Sequence, residues 1–285
     1  MKRLGIVAGL LIFFAGGLWG QTYTWVGPSG GVWNTPANWS PSGVPGSGDI
    51  AEINTDIAVL DSNITVGELQ IGGAGRLNLA SFNLTVEGNV AVSGTLDMTG
   101  RTLTVGGNWN SSSNVYATGS TVVFNGTTSQ SLTGTAIFQN ITVNNSGPGV
   151  VTGAPLNLNG SLLLQAGTLT AASAYSINVA GSVTISAGST LNPNGNNLTA
   201  GSLVLNNTAV MGTAGTLTVN GTANIGSNIT TTGNQTYTGA VTLTNDVTFT
   251  GGGYRDWRDL GSIWKYGNGS NIGPDIDDSE RKRPF

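Results

Sequence analysis

Residues 84–143 carry the sequence LTVEGNVAVSGTLDMTGRTLTVGGNWNSSSNVYATGSTVVFNGTTSQSLTGTAIFQNITV. One tripeptide pattern recurs in it at a constant interval of 19 residues: Leu84-Thr85-Val86, Leu103-Thr104-Val105, Val122-Val123-Phe124 and Ile141-Thr142-Val143. An apolar–polar–apolar triplet has the period of a β-strand with one buried face. An internal repeat of this length is typical of a solenoid, in which each coil packs only on its neighbours.

The pattern continues on both sides of this segment with small changes of spacing. Further copies are Ile64-Thr65-Val66, Leu156-Asn157-Leu158, Ile177-Asn178-Val179, Leu198-Thr199-Ala200, Leu217-Thr218-Val219 and Tyr237-Thr238-Gly239. The sequence therefore predicts an all-β fold, a single-stranded parallel β-helix of about ten coils of 19–21 residues. Right-handed winding is expected because parallel crossover connections are right-handed.

Asn-Gly pairs after several triplets predict the corners of the coils. They are Asn125-Gly126, Asn159-Gly160 and Asn220-Gly221. Asn and Gly tolerate the left-handed backbone that a sharp corner needs. The alternative is a sandwich of β-hairpins, in which Asn-Gly marks two-residue turns and pairing is antiparallel. The near-constant period favours parallel pairing between repeats.

The composition excludes several kinds of chemistry. The chain has 285 residues, a net charge of −4, no Cys and no His, and no charged residue lies between Arg101 and Asp246. Disulfides, thiolate nucleophiles and His-based acid–base catalysis are therefore excluded. No basic stripe supports nucleic-acid binding. Neither a cofactor nor a metal site is expected.

Residues 1–20 have the features of a secretory signal peptide. Lys2 and Arg3 precede an apolar stretch over residues 4–14, and small residues follow at Ala15, Gly16 and Gly17. This stretch is shorter than the roughly 20 residues that span a membrane. The alternative is an uncleaved anchor. We expect export to the cell surface or outside the cell, and no membrane span in the mature chain.

Residues 21–50 form a Trp- and Pro-rich segment that contains Trp25, Trp33 and Trp39. Exposed Trp rings stack on sugars, so these three residues are candidates for a glycan contact. The simpler interpretation is an amino-terminal cap, in which large aromatic rings cover the open end of the first coil, as a solenoid requires. The cap is the favoured interpretation, and residues 51–250 form the array that it would close.

The array ends at a segment of different character, residues 251–285, which contains 12 of the chain's 24 charged residues. One interpretation is an atypical charged carboxy-terminal tail or cap. The other is a truncated or frame-shifted reading frame whose continuation would be more coils.

Threonine recurs at the middle position of the triplets, as in Thr65, Thr85 and Thr104. A flat row of outward threonines is one way to bind ice. Asn157, Asn178 and Val123 interrupt the row. The interruptions favour a solvated face that uses residues of high β-propensity.

Several stretches resemble repeats of large secreted bacterial surface proteins. Residues 124–134 (FNGTTSQSLTG), 138–145 (FQNITVNN) and 233–243 (GNQTYTGAVTL) are similar to repeats of filamentous-haemagglutinin-like and autotransporter-passenger proteins. Residues 33–39, with Val44-Pro45 and Asp49, resemble the start of the mature region of such chains. The resemblance implies a β-solenoid displayed outside the cell, often in adhesion. The translocator barrel or anchor of such proteins has no match here.

Two further hypotheses compete with that of a non-enzymatic, adhesin-like protein whose partners are glycans or a host or neighbouring cell surface. The first is a polysaccharide-processing enzyme, which would need paired carboxylates. Glu68 and Glu87 are 19 residues apart and are the candidates on adjacent coils, although their phases in the repeat differ by one position. The second is a glycan-binding module that uses the three amino-terminal Trp residues.

Overall fold

The computed structural model describes residues 20–112, 115–116 and 118–251. The predicted signal peptide and charged tail lie outside the described residues, apart from Gly20 and Gly251. Within the described part, the only helical segment is one 3₁₀ turn, Pro36–Asn38. No helix there is long and apolar enough to cross a membrane.

The chain forms short strands throughout. In order they are β1 (Thr22–Trp25), β2 (Gly31–Val32), β3 (Trp39–Ser40), β4 (Ile50–Ile53), β5 (Ile57–Val59), β6 (Ile64–Val66), β7 (Glu68–Ile71), β8 (Arg76–Asn78), β9 (Leu84–Val86), β10 (Val90–Val92), β11 (Thr95–Asp97), β12 (Thr102–Val105), β13 (Trp109–Ser111), β14 (Val115–Tyr116), β15 (Thr121–Phe124), β16 (Gln130–Gly134), β17 (Asn140–Asn144), β18 (Val150–Thr152), β19 (Leu156–Leu158), β20 (Leu162–Ala166), β21 (Thr168–Ala171), β22 (Ile177–Ile185), β23 (Thr190–Asn192), β24 (Leu198–Leu205), β25 (Val210–Met211), β26 (Leu217–Val219), β27 (Ala223–Ile225), β28 (Ile229–Thr230), β29 (Gln235–Tyr237), β30 (Val241–Leu243) and β31 (Phe249–Thr250).

The strands stack into long sheets that run along the array. Sheet A has the order β25-β23-β21-β18-β16-β13-β10-β7-β4-β1-β3, and sheet B has the order β14-β11-β8-β5-β2. Sheet C contains 13 strands, from β6 to β30, and β28 pairs with β31. Every pairing is parallel except that between β1 and β3. The predicted β-solenoid of about ten coils is therefore confirmed, and the hairpin sandwich is wrong for this chain.

The register of sheet C corrects one detail of the predicted repeat. The triplet at Ile141 stacks on Leu162, and the same column continues through Val183, Leu203, Ala223 and Val241. The triplets at residues 156, 177, 198 and 217 form a second column beside it. The predicted repeat thus joined two columns into one.

The last predicted triplet also moves. Val219 pairs with Tyr237, so the final strand of the second column is Gln235-Thr236-Tyr237 and Tyr237 occupies its third position. The ten triplets of the first column, from Ile64 to Val241, begin 18–21 residues apart. This range is one residue wider than the predicted length of a coil.

The inward positions of the triplets form one continuous core. Leu84, Val86, Leu103 and Val105 are fully buried, whereas Thr85 and Thr104 between them remain partly exposed. Each buried aliphatic side chain contributes about 1.5–3 kcal/mol relative to an exposed one. Because the alternation places these residues inside on every coil, the apolar contacts run through the whole array.

The corners differ from expectation. Asn125-Gly126, Asn159-Gly160 and Asn220-Gly221 do not have positive φ angles. A Cβ atom at Gly126 would collide with the carbonyl oxygen of Gly106 on the preceding coil. Glycine is needed at this corner for close stacking between coils, and not for a left-handed backbone.

Asparagine side chains bind successive coils together at other corners. The Oδ1 atom of Asn63 accepts from the backbone N–H of Asn83 at 2.8 Å, and Asn83 Oδ1 accepts from the N–H of Thr102 at 2.9 Å. Asn89 and Asn108 repeat the arrangement on another edge. These bonds satisfy backbone donors that the parallel ladder leaves free, which explains the abundance of asparagine in the array.

Two left-handed glycines allow a test of how tightly the coils stack. Gly134 has a φ angle of +100°, and an added Cβ would collide with the carbonyl oxygen of Ser111. Gly188 has a φ angle of +75° and open space around it. We expect Gly134→Ala to lower the free energy of unfolding by about 3 kcal/mol, from backbone strain and overpacking.

Gly188→Ala carries the strain alone and should cost about 1 kcal/mol. Urea denaturation followed by circular dichroism measures both variants. Equal losses in the two variants would contradict close stacking of the coils at Gly134.

The final coil contains a buried tyrosine. Tyr237 packs edge-on against Phe249, and its hydroxyl donates to Gln235 Oε1 at 3.1 Å. Burial raises the pKa of this hydroxyl above its usual value. The folded protein therefore retains this proton at a pH at which the unfolded chain loses it, and stability should fall as the pH rises above about 10.

Tyr237→Phe should reduce this alkaline loss of stability. Unfolding free energies of the wild type and the variant at pH 8 and pH 11 measure the effect. The same decrease between the two pH values in both proteins would show that Tyr237 is not its source.

Candidate functional site

The three amino-terminal Trp residues lie inside the fold. Trp25, Trp33 and Trp39 expose 2%, 0% and 2% of their surface. Trp39 packs edge-on against both other rings, at centroid distances of 5.0 and 4.7 Å. A sugar stacks on a ring only if a face of that ring is open, so this burial argues against the glycan-contact hypothesis for these residues. Their position against the first coil favours the cap.

The carboxylates of the early coils bind neighbouring backbone and side chains. Glu87 accepts from the Ser47 hydroxyl at 2.7 Å and from the Gly48 N–H at 3.1 Å. Glu68 accepts from Asn89 Nδ2 at 3.0 Å. Asp49 accepts from the backbone N–H groups of residues 21 and 46. These bonds attach the loop at residues 46–49 to the coil that carries Glu87.

The arrangement does not form a paired-carboxylate site. Glu68 begins a strand of sheet A, whereas Glu87 follows a strand of sheet C, and each binds a different partner. No group of three or more His, Cys, Asp or Glu side chains that could hold a metal ion occurs among the described residues.

The outer face of sheet A carries a groove with a volume of about 290 Å³. Its centre is a row of three side chains that the parallel register aligns on neighbouring strands, namely Gln70, Ala91 and Asn110. The short Ala91 side chain between two longer amides leaves the depression. The lining residues are Asn54, Gln70, Ile71, Gly72, Ala91, Val92, Ser93, Asn110 and Ser112. None of them is charged.

Gly72 determines the shape of one wall. A Cβ atom at this position would collide with Asn54 Oδ1. The missing side chain therefore gives the Asn54 amide its place beside the strand end. Ser93 lies across from it and donates its hydroxyl to the Ile71 carbonyl oxygen at 3.2 Å.

A second groove, of about 460 Å³, lies at the far end of the array. The side chains of Asn207 and Asn245 close part of it through a hydrogen bond of 3.0 Å. Asp246, the first charged residue after Arg101, also lines it. The amides of this groove are thus partly engaged with each other.

The groove of sheet A escaped the sequence analysis, although a signal for it exists. Gln70, Ala91 and Asn110 each occupy the middle of an alternating triplet and therefore point outward. Their alignment follows only from the register between coils, which the sequence pattern alone leaves open. No family model matches the chain, and neither a curated protein nor a solved structure matches it.

Proposed function

We propose that the chain is a non-enzymatic, secreted or surface-displayed repeat protein that acts as an adhesin-like rod. The observation that carries the proposal is the groove of sheet A, an open and uncharged surface on a scaffold whose backbone is otherwise paired. Ten coils at roughly 4.8 Å of rise make a rod on the order of 50 Å long. Such a scaffold presents a fixed surface to a partner at little entropic cost.

The distribution of charge supports a role without catalysis. The carboxylates of Glu52, Glu68 and Glu87 each accept hydrogen bonds from the protein itself. Cleavage of a glycoside would need two carboxylates facing one cavity, and the lining of the sheet A groove contains none.

Export rests on the sequence. The positive residues, the apolar stretch and the small residues of 1–20 support a signal peptide. The absence of Cys is compatible with a protein outside the cell when the fold is stabilised by a backbone ladder and a continuous core, as here. A fusion of residues 1–40 to a phosphatase that is active only after export tests this part.

Binding to cells tests the function itself. Fluorescently labelled purified chain should bind cells or extracellular matrix saturably, and Glu87→Gln should bind as well as the wild type. Absence of binding to every cell and matrix preparation would contradict the proposal. Shortening of a polysaccharide by the wild type, lost in Glu87→Gln, would replace it with the enzymatic alternative.

A further inference from the structure

The amides of the sheet A groove differ from most other asparagines of the array in having no protein partner. Asn54, Gln70 and Asn110 make no side-chain hydrogen bond within the described residues and are exposed. The ladder asparagines, in contrast, use their side chains to join the coils, as Asn83 and Asn108 do. Three amides that stabilise nothing in the fold are free to bind a ligand.

The chemistry of these amides restricts the kind of ligand. Each presents two N–H donors and a carbonyl oxygen with two lone pairs. Together with the hydroxyls of Ser93 and Ser112, they offer donors and acceptors in similar number. A ligand whose own groups both donate and accept, such as a polyhydroxylated ring, can satisfy this set.

Charge restricts the ligand further. No cation lines the groove. Glu52 pairs in register with Gln70 at its edge, where its carboxylate accepts from the Thr24 hydroxyl at 2.9 Å. A sulfated, phosphorylated or uronic-acid ligand would find no counter-charge and one repelling carboxylate nearby. The groove therefore favours a neutral ligand.

The backbone excludes a peptide bound as an additional strand. β7, β10 and β13 lie within sheet A, and each is paired with a strand on both sides. No free strand edge is available at the groove for β-augmentation. The volume of about 290 Å³ is at the lower end for small-molecule sites, which suits one or two rings of a longer chain.

We propose that the groove lined by Asn54, Gln70, Ala91 and Asn110 binds neutral sugar units of a polysaccharide. The inference rests on the proposed adhesive function and assigns its contact surface. Gln70 and Asn110 bind ring hydroxyls from two sides, Asn54 binds from the strand end, and the Ala91 methyl group lies under the apolar face of the ring.

Binding to a panel of soluble polysaccharides tests the proposal. The panel contains neutral glucans, mannans and galactans and, as anionic probes, polygalacturonate and heparin. The wild type should bind at least one neutral polymer. The double variant Gln70→Ala, Asn110→Ala should weaken that binding at least tenfold, because each lost bond to a sugar hydroxyl costs about 0.5–1.5 kcal/mol.

The matched control is Asn224→Ala with Thr242→Ala, which alters two neighbouring exposed side chains on sheet C. It should bind like the wild type. Ala91→Glu adds a carboxylate to the groove and should also weaken binding, while circular dichroism checks that every variant retains the fold.

Three results would overturn the assignment: binding of neutral polymers that the groove variants leave unchanged, binding of the anionic polymers only, and no binding of any polymer. Cell adhesion by the wild type, measured in parallel, separates this proposal from the broader one. Adhesion without neutral-glycan binding would remove the sugar site and leave the adhesive rod. Loss of both would remove the proposed function as well.

Discussion

Replacement of Trp39 by Ala should lower the free energy of unfolding by about 4–5 kcal/mol, the upper range for removal of a buried Trp ring. Trp39 lies at the centre of the amino-terminal cluster and packs edge-on against both Trp25 and Trp33. Its Nε1 atom also donates to the Trp33 carbonyl oxygen at 2.8 Å. The variant therefore loses a large apolar surface, two aromatic contacts and one buried hydrogen bond.

The damage should begin at the first coils, because a solenoid is stabilised by contacts between neighbours. Amide hydrogen exchange should increase first in β1 and β4, which pair at the capped end, and only later in the central coils. Val26→Ala serves as the matched control. Val26 follows the same strand but is 58% exposed, so its loss should cost less than about 0.5 kcal/mol.

A small effect of Trp39→Ala on stability would contradict the role of the cluster as a cap. Uniform acceleration of exchange along the whole array would instead indicate that the coils unfold as one cooperative unit. Urea denaturation and hydrogen exchange distinguish these outcomes.

The fold could be predicted from alternation, whereas the register between coils could not. Apolar triplets such as Leu156-Asn157-Leu158 and Leu162-Leu163-Leu164 are chemically equivalent, and both fit an inward-facing strand. Only the backbone hydrogen bonds to neighbouring coils decide which of them stacks on Ile141. The pattern therefore predicted strands and parallel pairing but merged the two columns.

The sites were less predictable for a related reason. A Trp residue has the same letter whether its ring is exposed or buried, and the clustering of Trp25, Trp33 and Trp39 depends on the turn between β2 and β3. The groove requires Gln70, Ala91 and Asn110 to align across three coils. Both features are long-range consequences of register, which a local pattern does not contain.

A buried pair of amides was equally hidden. Gln130 and Asn145 expose 1% and 0% of their surface. The sequence around Gln130 has the polar character of a loop, yet its side chain occupies an inward position that pairs in register with Val150. No apolar side chain could replace it without loss, because nearby backbone groups depend on its amide.

The network is fully connected. Gln130 Nε2 donates to the carbonyl oxygens of Val105 and Gly107 at 3.0 and 2.6 Å. Gln130 Oε1 accepts from the Gly126 N–H at 3.0 Å and from Asn145 Nδ2 at 2.8 Å. Asn145 Oδ1 in turn accepts from the N–H groups of residues 147 and 149. Two widened corners on successive coils are thereby joined.

Gln130→Leu should consequently lower the free energy of unfolding by about 4 kcal/mol, although it adds apolar surface to the core. The substitution leaves the Gly126 N–H and the two carbonyl oxygens without their partner, and each buried group left unsatisfied costs about 1–3 kcal/mol. A double-mutant cycle with Asn145→Ala, measured by urea denaturation, should show a coupling of about 1–2 kcal/mol, because each residue is the other's partner. Asn224→Ala, an exposed amide, is the control and should change stability by less than about 0.5 kcal/mol. Additive effects of the two core substitutions would show that the amides act separately. A Gln130→Leu variant as stable as the wild type would show that apolar packing, and not the amide network, stabilises these corners.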